Sequence, residues 1–254
     1  MYCPSKRDRC YHAIAIDTSC RPHELLNLKI SDIMFRSTDI GRQCAEIVIK
    51  GGKSKARTVP LIESIPYIKD WIKSHPTGDN PNSWLFVSDC NATLGSRLTY
   101  DGMSYRYKYF YKSHYFPKLL RDETLPDSDK SIIRFMLTKP WNLYFFRHSS
   151  LTEKSTYLKE HILRAHARLT LSSKMPQIYI HYFGNESVNS LLKAKAVIKE
   201  HDNLERYSFK TKICNNCNEQ AKAEARFCPK CNMVLSYRAY SEALEEQKRK
   251  EFRI

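Results

Sequence analysis

The sequence predicts a mainly α-helical fold with a small antiparallel β-sheet, followed by a small cysteine-rich module near the C-terminus. Helical patterns of apolar residues recur along most of the 254 residues. Two apolar segments, residues 46–50 and 57–61, flank a Gly-Gly turn and predict a β-hairpin. Two Cys-x-x-Cys pairs lie close together further along the chain. The hydrophobic content of 42% is enough to build a core for one large or two modest domains.

A short helix is predicted to begin at Pro22. Proline suits the first helical position, and Glu24 complements the positive end of the helix dipole. Leu25 and Leu28 form an apolar face at helical spacing. We therefore expect Arg21 directly at the start of this helix.

The remaining segments are predicted mostly as helices. Lys53 lies at the tip of the predicted hairpin, with Lys50 and Lys55 beside it. Residues 76–81 contain proline, glycine and asparagine and predict a loop. The other predicted helical or short elements are residues 8–16, 63–74, 131 onward, 142–167 with a break, 174–181, and a stretch that begins at Ser187.

The charge balance favours a polyanionic partner. Lys and Arg outnumber Asp and Glu by 42 to 27, which gives a formal net charge of +15. Nucleic acid is the first candidate, although charge spread along a whole chain also describes a solvated surface. The sequence has no apolar run of roughly 18 residues and no apolar secretory segment at its start, so we expect an intracellular protein.

Residues 100–121 form an aromatic and basic stretch. Eight aromatic side chains alternate here with Arg and Lys. Aromatic residues at helical spacing usually belong to a core, whereas the same mixture also suits a helix that lies on DNA. Both interpretations stay open.

The two Cys-x-x-Cys pairs predict a structural Zn²⁺ site formed by Cys214, Cys217, Cys228 and Cys231. Ten residues separate the pairs, and zinc supplies the folding energy that so short a module lacks. Four unrelated thiols or a redox pair are the alternatives. Nearby basic residues would either contact phosphates or keep the module soluble: Lys212, Lys222, Arg226 and Lys230. The five other cysteines are expected to be buried or unreactive thiols: Cys3, Cys10, Cys20, Cys44 and Cys90.

Four segments that follow one another along the chain each contain a candidate catalytic residue: Arg21 in TSCRPHELLNLKISDI, Lys53 in KGGKSKARTVPL, Arg147 in FFRHSSLTEKS and Tyr179 in SSKMPQIYIHYFG. Together they resemble the tyrosine recombinases of the phage integrase family over roughly residues 8–195. The last two segments and the zinc ribbon look like archaeal members. Two guanidiniums can bind a phosphate whose oxygens gain negative charge during the reaction. A phenol that acts as a nucleophile needs nearby positive charge to favour its ionised form.

The resemblance implies a site-specific DNA recombinase of mobile elements, with a tyrosine-recombinase-like catalytic domain. Arg21 and Arg147 would bind the scissile phosphate, and Tyr179 would attack it to form a 3′-phosphotyrosyl link. Lys53 would protonate the 5′-hydroxyl leaving group, with Lys50 and Lys55 as competitors. The family needs no catalytic metal or energy cofactor. The resemblance also implies double-stranded DNA as the partner, self-association of the protein on paired DNA sites, and a cytoplasmic, nucleoid-associated location.

Two positions depart from the family pattern. Tyr144 stands where the family usually has a histidine three residues before its second arginine, and a phenol is a poor acid or base near neutral pH. Arg168-Leu169 stands where a histidine or tryptophan is usual, so either His166 reaches in or that contact is missing. His148 is expected to be a structural helix residue.

The expected organisation is a catalytic domain over residues 1–200, a linker over 201–212, a zinc ribbon over 213–236 and a charged helical tail over 237–254. The helical core-binding domain that usually precedes the catalytic domain in this family is expected to be absent. Two other functions stay open: a catalytically impaired DNA-binding remnant or regulator, and a zinc-ribbon interaction protein with an incidental basic surface.

Overall fold

The computed structural model describes residues 3–37, 43–50, 56–170, 172–181, 210–236, 239 and 241. The helices are α1 (Lys6–Thr18), α2 (Pro22–Leu26), α3 (Ile65–Lys73), α4 (Tyr100–Tyr105), a π-helix (Arg106–Tyr115), α5 (Phe116–Leu119), α6 (Asp127–Leu137), α7 (Tyr144–Lys154), α8 (Glu160–Ala167) and α9 (Met175–His181). The strands are β1 (Ile33–Ser37), β2 (Gln43–Ile49), β3 (Arg57–Leu61), β4 (Lys212–Ile213) and β5 (Gln220–Ala221). The predicted mainly helical fold with a small antiparallel sheet is confirmed. Within the described ranges, no helix is long and apolar enough to cross a membrane.

The larger sheet has the order β1-β2-β3, with both neighbouring pairs antiparallel. Ile47 lies opposite Ile33 on one side and Val59 on the other. All three side chains are buried, because residues directly opposite one another on neighbouring strands lie on the same face of the sheet. The predicted hairpin of β2 and β3 is confirmed, while its tip, residues 51–55, lies outside the described residues.

Helix α1 lies at the centre of the main core. It packs against α3, α7 and β3, and Cys10, Tyr11 and Ile14 are fully buried there. Only its second part, residues 8–16, was predicted. The helix begins earlier, at Lys6, where the side chain of Ser5 accepts a hydrogen bond from the Asp8 backbone amide.

The aromatic stretch is helical from Tyr100 to Leu119, and only part of it belongs to the core. Met103, Tyr107 and Tyr111 are buried in or beside the core. Tyr105 and Tyr109 instead project outward, with 64% and 52% of their surface exposed and ring centroids 4.4 Å apart. The core interpretation therefore holds for one face of this helix only.

Helices α7, α8 and α9 build a second, smaller core. Leu151, Leu163, Ala167 and Tyr179 are its buried members. The predicted break in the 142–167 segment is confirmed, because α7 ends at Lys154 and α8 begins at Glu160. Helix α6 begins at residue 127, four residues before the predicted start. The helix predicted from residue 187 and most of the tail lie outside the described residues.

The cysteine-rich module lies against α3. The hydroxyl of Tyr67 donates a 2.8 Å hydrogen bond to Glu224 Oε2, and Lys222 forms an ion pair with Asp70. The Lys212 ammonium donates to a backbone carbonyl inside the module at 2.9 Å. Both lysines therefore help to hold the module together, and the alternative that they contact phosphates stays a prediction.

Candidate active site

Arg21 occupies the predicted place at the start of α2. It is the N-cap residue, and its backbone amide donates a 2.8 Å hydrogen bond to Glu24 Oε2. Its Nη1 atom lies 3.4 Å from Glu24 Oε1, and 32% of its side chain is exposed. The glutamate one turn into the helix therefore fixes both the backbone and the guanidinium of Arg21.

Glu24 also joins two arginines from distant parts of the chain. Its Oε2 atom lies 3.4 Å from Arg57 Nη2, and its Oε1 atom lies 4.0 Å from Arg168 Nη1. Burial favours the neutral acid, but the hydrogen bond from the Arg21 amide and the charges of Arg57, Arg21 and Arg147 outweigh it. The pKa of Glu24 is therefore below its usual value. One carboxylate thus holds a group of guanidiniums together.

Arg147 is buried, with 5% of its surface exposed. Its Nη1 atom donates to the Ser19 carbonyl at 2.5 Å, and its Nη2 atom donates to the Ala167 carbonyl at 2.6 Å. Burial and then the charge of Arg21 lower the pKa of Arg147. A guanidinium has five N–H donors, so these two bonds leave donors for a further oxyanion.

Arg57 is a site residue that the sequence reasoning did not single out. It begins β3, and its side chain donates to the His166 carbonyl at 2.5 Å and to Cys20 Sγ at 3.1 Å. In the sequence it is one of several cations around the hairpin turn. Its place at the start of the predicted strand after the Gly-Gly turn was the available signal.

The lysine predicted at the hairpin tip, Lys53, lies outside the described residues, as does its competitor Lys55. Its other competitor, Lys50, is 67% exposed, and its ammonium lies 2.7 Å from Asp32 Oδ1. The identity of the lysine at this site stays a prediction.

Tyr179 lies on α9 with only 4% of its surface exposed. Its hydroxyl is 2.9 Å from His148 Nδ1, in hydrogen-bonding contact. Burial raises the pKa of Tyr179, and the charge of Arg147 opposes that rise. The positive charge of Arg147 therefore acts on Tyr179, and the positive charge of Arg21 acts on Arg147.

His148 was expected to be only a structural residue, yet it contacts the candidate nucleophile. Tyr144 begins α7 one turn earlier, and its ring centroid is 6.3 Å from that of His148. The spacing of four residues on one helix places both side chains on the same face. This relation is visible in the sequence, whereas the contact with α9 is not.

The position of Leu169 brings no polar group to the site. Its side chain packs partly buried against the small core of α7, α8 and α9. The imidazole of His166 contacts the Ser19 hydroxyl, with Nε2 to Oγ at 3.1 Å. Burial, followed by the charges of Lys154, Arg57 and Arg147, lowers the pKa of His166 to about 4. His166 is therefore a neutral group behind the arginines.

The four predicted metal ligands converge. The Sγ atoms of Cys214, Cys217, Cys228 and Cys231 all lie within 4.8 Å of one another. The Cys214–Cys231 and Cys217–Cys228 pairs have Sγ atoms 3.5 Å apart. In tetrahedral zinc sites with Zn–S bonds of about 2.3 Å, sulfur atoms are about 3.8 Å apart. The cluster therefore fits a metal ion of this size.

The other cysteines only partly match their prediction. Cys10 and Cys20 are buried, as expected, whereas Cys3 and Cys44 are half-buried. Cys90 is exposed, as is the short turn that follows it, so for this thiol the unreactive alternative is the one that stays a prediction.

Comparisons with known proteins give one family match, to the first part of the chain. Residues 2–114 match the model of the phage integrase family, a range that includes Arg21 and Arg57 but ends before Arg147. No protein with curated function matches the chain. A crystal structure of the XerH site-specific recombinase, bound to palindromic difH substrate in a post-cleavage complex, is similar with 23% identity and a TM-score of 0.49. The match covers 77% of this chain and 46% of that one, so this chain spans less than half of the XerH chain.

Proposed function

From the match of residues 2–114 to the model of the phage integrase family, we propose that the protein is a site-specific DNA recombinase that cleaves and rejoins DNA through a 3′-phosphotyrosyl intermediate. The observation that carries this proposal is the convergence of Arg21, Arg147 and Tyr179, which are far apart in the sequence. Arg147 donates to the carbonyl of Ser19, two residues before Arg21, and the charge of Arg21 lowers the pKa of Arg147. The charge of Arg147 in turn opposes the rise in the pKa of Tyr179 that burial causes.

The two arginines would bind the scissile phosphate. Arg147 is fixed by two carbonyls and Arg21 by Glu24, so neither guanidinium needs to reorganise when negative charge develops on the phosphate oxygens. Planar guanidiniums also grip a phosphate through paired hydrogen bonds, which a lysine cannot do.

Tyr179 would be the nucleophile. Its oxygen would form a bond to phosphorus while the bond from phosphorus to the 5′ oxygen breaks, and Lys53 would give the leaving oxygen a proton. The phosphotyrosyl bond keeps the energy of the phosphodiester, so the reaction needs neither a catalytic metal nor an energy cofactor. Rejoining reverses these steps.

Zn²⁺ would be structural, held by Cys214, Cys217, Cys228 and Cys231. The sulfur distances support four thiolate ligands, and the bound ion would supply folding energy to a module whose strands have two residues each. The proposed organisation keeps the predicted bounds: catalytic domain 1–200, linker 201–212, ribbon 213–236 and tail 237–254. The purified chain should contain one zinc per molecule by elemental analysis, and Cys228→Ser should lose it.

The proposed partner is double-stranded DNA, on which several protomers would act at paired sites. The net charge of +15 supports such binding. Binding should therefore weaken steeply as salt rises, whereas a protein interface would change much less.

Covalent trapping tests the proposed function. The zinc-loaded chain is incubated with a library of nicked DNA duplexes whose sequence is randomised around the nick, so that cleavage releases a short strand and prevents rejoining. Wild type should give a protein–DNA band on a denaturing gel, and Tyr179→Phe should give none. Tyr157→Phe, on an exposed tyrosine outside the aromatic stretch, is the matched control and should behave as wild type.

A second function is favoured by two specific observations. Tyr179 is almost fully buried, and Leu169 offers no hydrogen bond at the position where the family usually has a donor. Both suit a DNA-binding remnant or regulator with impaired catalysis. Salt-sensitive DNA binding by the wild type without any covalent band would favour this alternative.

A further inference from the structure

The contact between His148 and Tyr179 joins two helices at the reacting atom of the proposed nucleophile. His148 lies on α7 and Tyr179 on α9, and 2.9 Å separates the imidazole Nδ1 from the hydroxyl oxygen. This is ordinary hydrogen-bonding distance for a base and the proton that it removes. It is also the one polar contact of this hydroxyl among the described residues.

We infer that His148 accepts the proton of the Tyr179 hydroxyl as the phenol oxygen attacks phosphorus. The inference rests on the proposed function, in which Tyr179 is the nucleophile. It gives His148 a catalytic role, where the sequence alone led us to expect a structural one.

The environment of the two rings favours the protonation states from which this step starts, a protonated phenol and a neutral imidazole. Burial raises the pKa of Tyr179, so the hydroxyl stays protonated near neutral pH and needs a base. Burial and the adjacent charge of Arg147 lower the pKa of His148, so its imidazole stays neutral and Nδ1 can accept a hydrogen bond. Burial of His148 is only partial, and the part that stays exposed lets the accepted proton exchange with solvent.

The proton and electron pairs balance in this step. The Tyr179 oxygen forms its bond to phosphorus and its proton moves to His148 Nδ1. The bond between phosphorus and the 5′ oxygen breaks, and that oxygen takes a proton from the lysine. In rejoining, the 5′-hydroxyl attacks phosphorus and gives its proton to the neutral lysine. The bond between phosphorus and the tyrosine oxygen breaks, and the protonated His148 returns a proton to that oxygen.

Tyr144 is the other candidate on the same helix face, at the place where the family usually has a histidine. A phenol is a poor acid or base near neutral pH, and no contact joins Tyr144 to Tyr179 among the described residues. The imidazole one turn further along α7 is the group that reaches the hydroxyl.

The rate of covalent trapping tests the inference on a duplex recovered from the randomised library with wild type. We expect His148→Ala to slow formation of the phosphotyrosyl band about 100-fold, the lower range for loss of a general base. His148→Asn can accept a hydrogen bond near the Nδ1 position but cannot take the proton, so we expect it to be similarly slow. His161→Ala, on an exposed histidine of α8, is the control and should keep the wild-type rate.

A modified leaving group separates the two proton transfers. A duplex with sulfur in place of the 5′ bridging oxygen needs no proton on the leaving atom. The ratio of the wild-type rate to the His148→Ala rate should stay about 100-fold on this duplex. A ratio near one would show that His148 serves the leaving group, and a wild-type rate for His148→Asn would show that it only positions the tyrosine. Either result overturns the inference.

Nitrogen NMR of the free, full-length chain checks the contact without DNA. The resonance of His148 is identified by its loss in His148→Asn. We expect an unprotonated Nδ1 whose shift changes in Tyr179→Phe, and a proton on Nδ1 at neutral pH would overturn the inference.

Failure of the inference and failure of the proposed function look different. An adduct with wild type that forms at the same rate in His148→Ala removes the role of His148 alone. Absence of any adduct with wild type on the whole library removes the proposed function and, with it, this inference.

Discussion

Replacement of Glu24 by glutamine should loosen the arginine group. The substitution keeps the shape of the side chain and an oxygen that can accept from the Arg21 amide. It removes the negative charge that lies 3.4 Å from both Arg21 and Arg57. The guanidiniums would then repel one another without the carboxylate between them.

The structure sets the size of the effect. At an effective dielectric constant of about 20, unit charges 3.4 Å apart attract by roughly 5 kcal/mol, before the cost of burying them. Arg21 is 32% exposed and its attraction is partly screened, so Arg57, with 14% exposed, carries most of the effect. We expect Glu24→Gln to lower the free energy of unfolding by about 2 kcal/mol, which shifts the melting temperature of a chain of this size by roughly 4–8 °C.

Thermal unfolding followed by circular dichroism measures this change in zinc-loaded protein. Glu46→Gln is the matched control, because Glu46 also lies 3.4 Å from an arginine but in a more exposed pair, with 32% and 58% of the two side chains accessible. It should cost no more than about 0.5–1 kcal/mol. Equal effects of the two substitutions would refute the view that burial gives the Glu24 group its strength.

The pH dependence of this difference has a definite sign. The folded pKa of Glu24 is below the unfolded value of about 4.3, so its contribution is complete above that value. The contribution is lost as the pH falls through the folded pKa. The stability gap between wild type and Glu24→Gln should therefore be constant from pH 7 to pH 5 and shrink only below about pH 4. A gap that shrinks between pH 7 and pH 5 would contradict the reasoning.

Two further substitutions probe the support behind the arginines. Ser19 has a φ of 52° and its hydroxyl contacts Ser150 Oγ at 2.6 Å and His166 Nε2 at 3.1 Å. Ser19→Ala should cost about 1–2 kcal/mol in chemical unfolding, and Ser19→Gly about 1 kcal/mol less, since glycine tolerates the left-handed conformation; the reverse order would count against this account. His166 has its pKa lowered to about 4, so between pH 6.5 and 4 the unfolded chain binds a proton that the folded chain excludes. Wild type should lose about 1 kcal/mol relative to His166→Gln from pH 7 to pH 5, and parallel stability curves would show that this histidine does not cause the loss.

Local patterns explain what the sequence predicted well. The β2–β3 hairpin, the start of α2 at Pro22 and the pairing of the four cysteines each follow from residues close together in the chain. Strand β1 was not predicted, because Ile33 is its only buried side chain and the alternation of apolar and polar residues is missing. A strand that is held mainly by backbone hydrogen bonds shows little of the apolar pattern by which strands are predicted from sequence.

The candidate site was predicted residue by residue but not as an arrangement. The place of Arg21 follows from a local helix rule, whereas its link to Arg57 and Arg168 through Glu24 depends on how β3 and α8 pack against α2. The contact of His148 with α9 has the same origin. Lys53 stays a prediction.

The position of Arg147 has a consequence for the protein without DNA. Ser19 ends α1 and Ala167 ends α8, so the Arg147 guanidinium lies at the carboxyl ends of two helices. These ends carry the negative poles of the helix dipoles, and a cation there stabilises both helices. Lysine at this position would keep the charge but could not span two carbonyls with a planar group. The arginine proposed to hold the phosphate is thus also the capping group of two helices. Its loss would therefore lower the stability of the folded chain even in the absence of DNA.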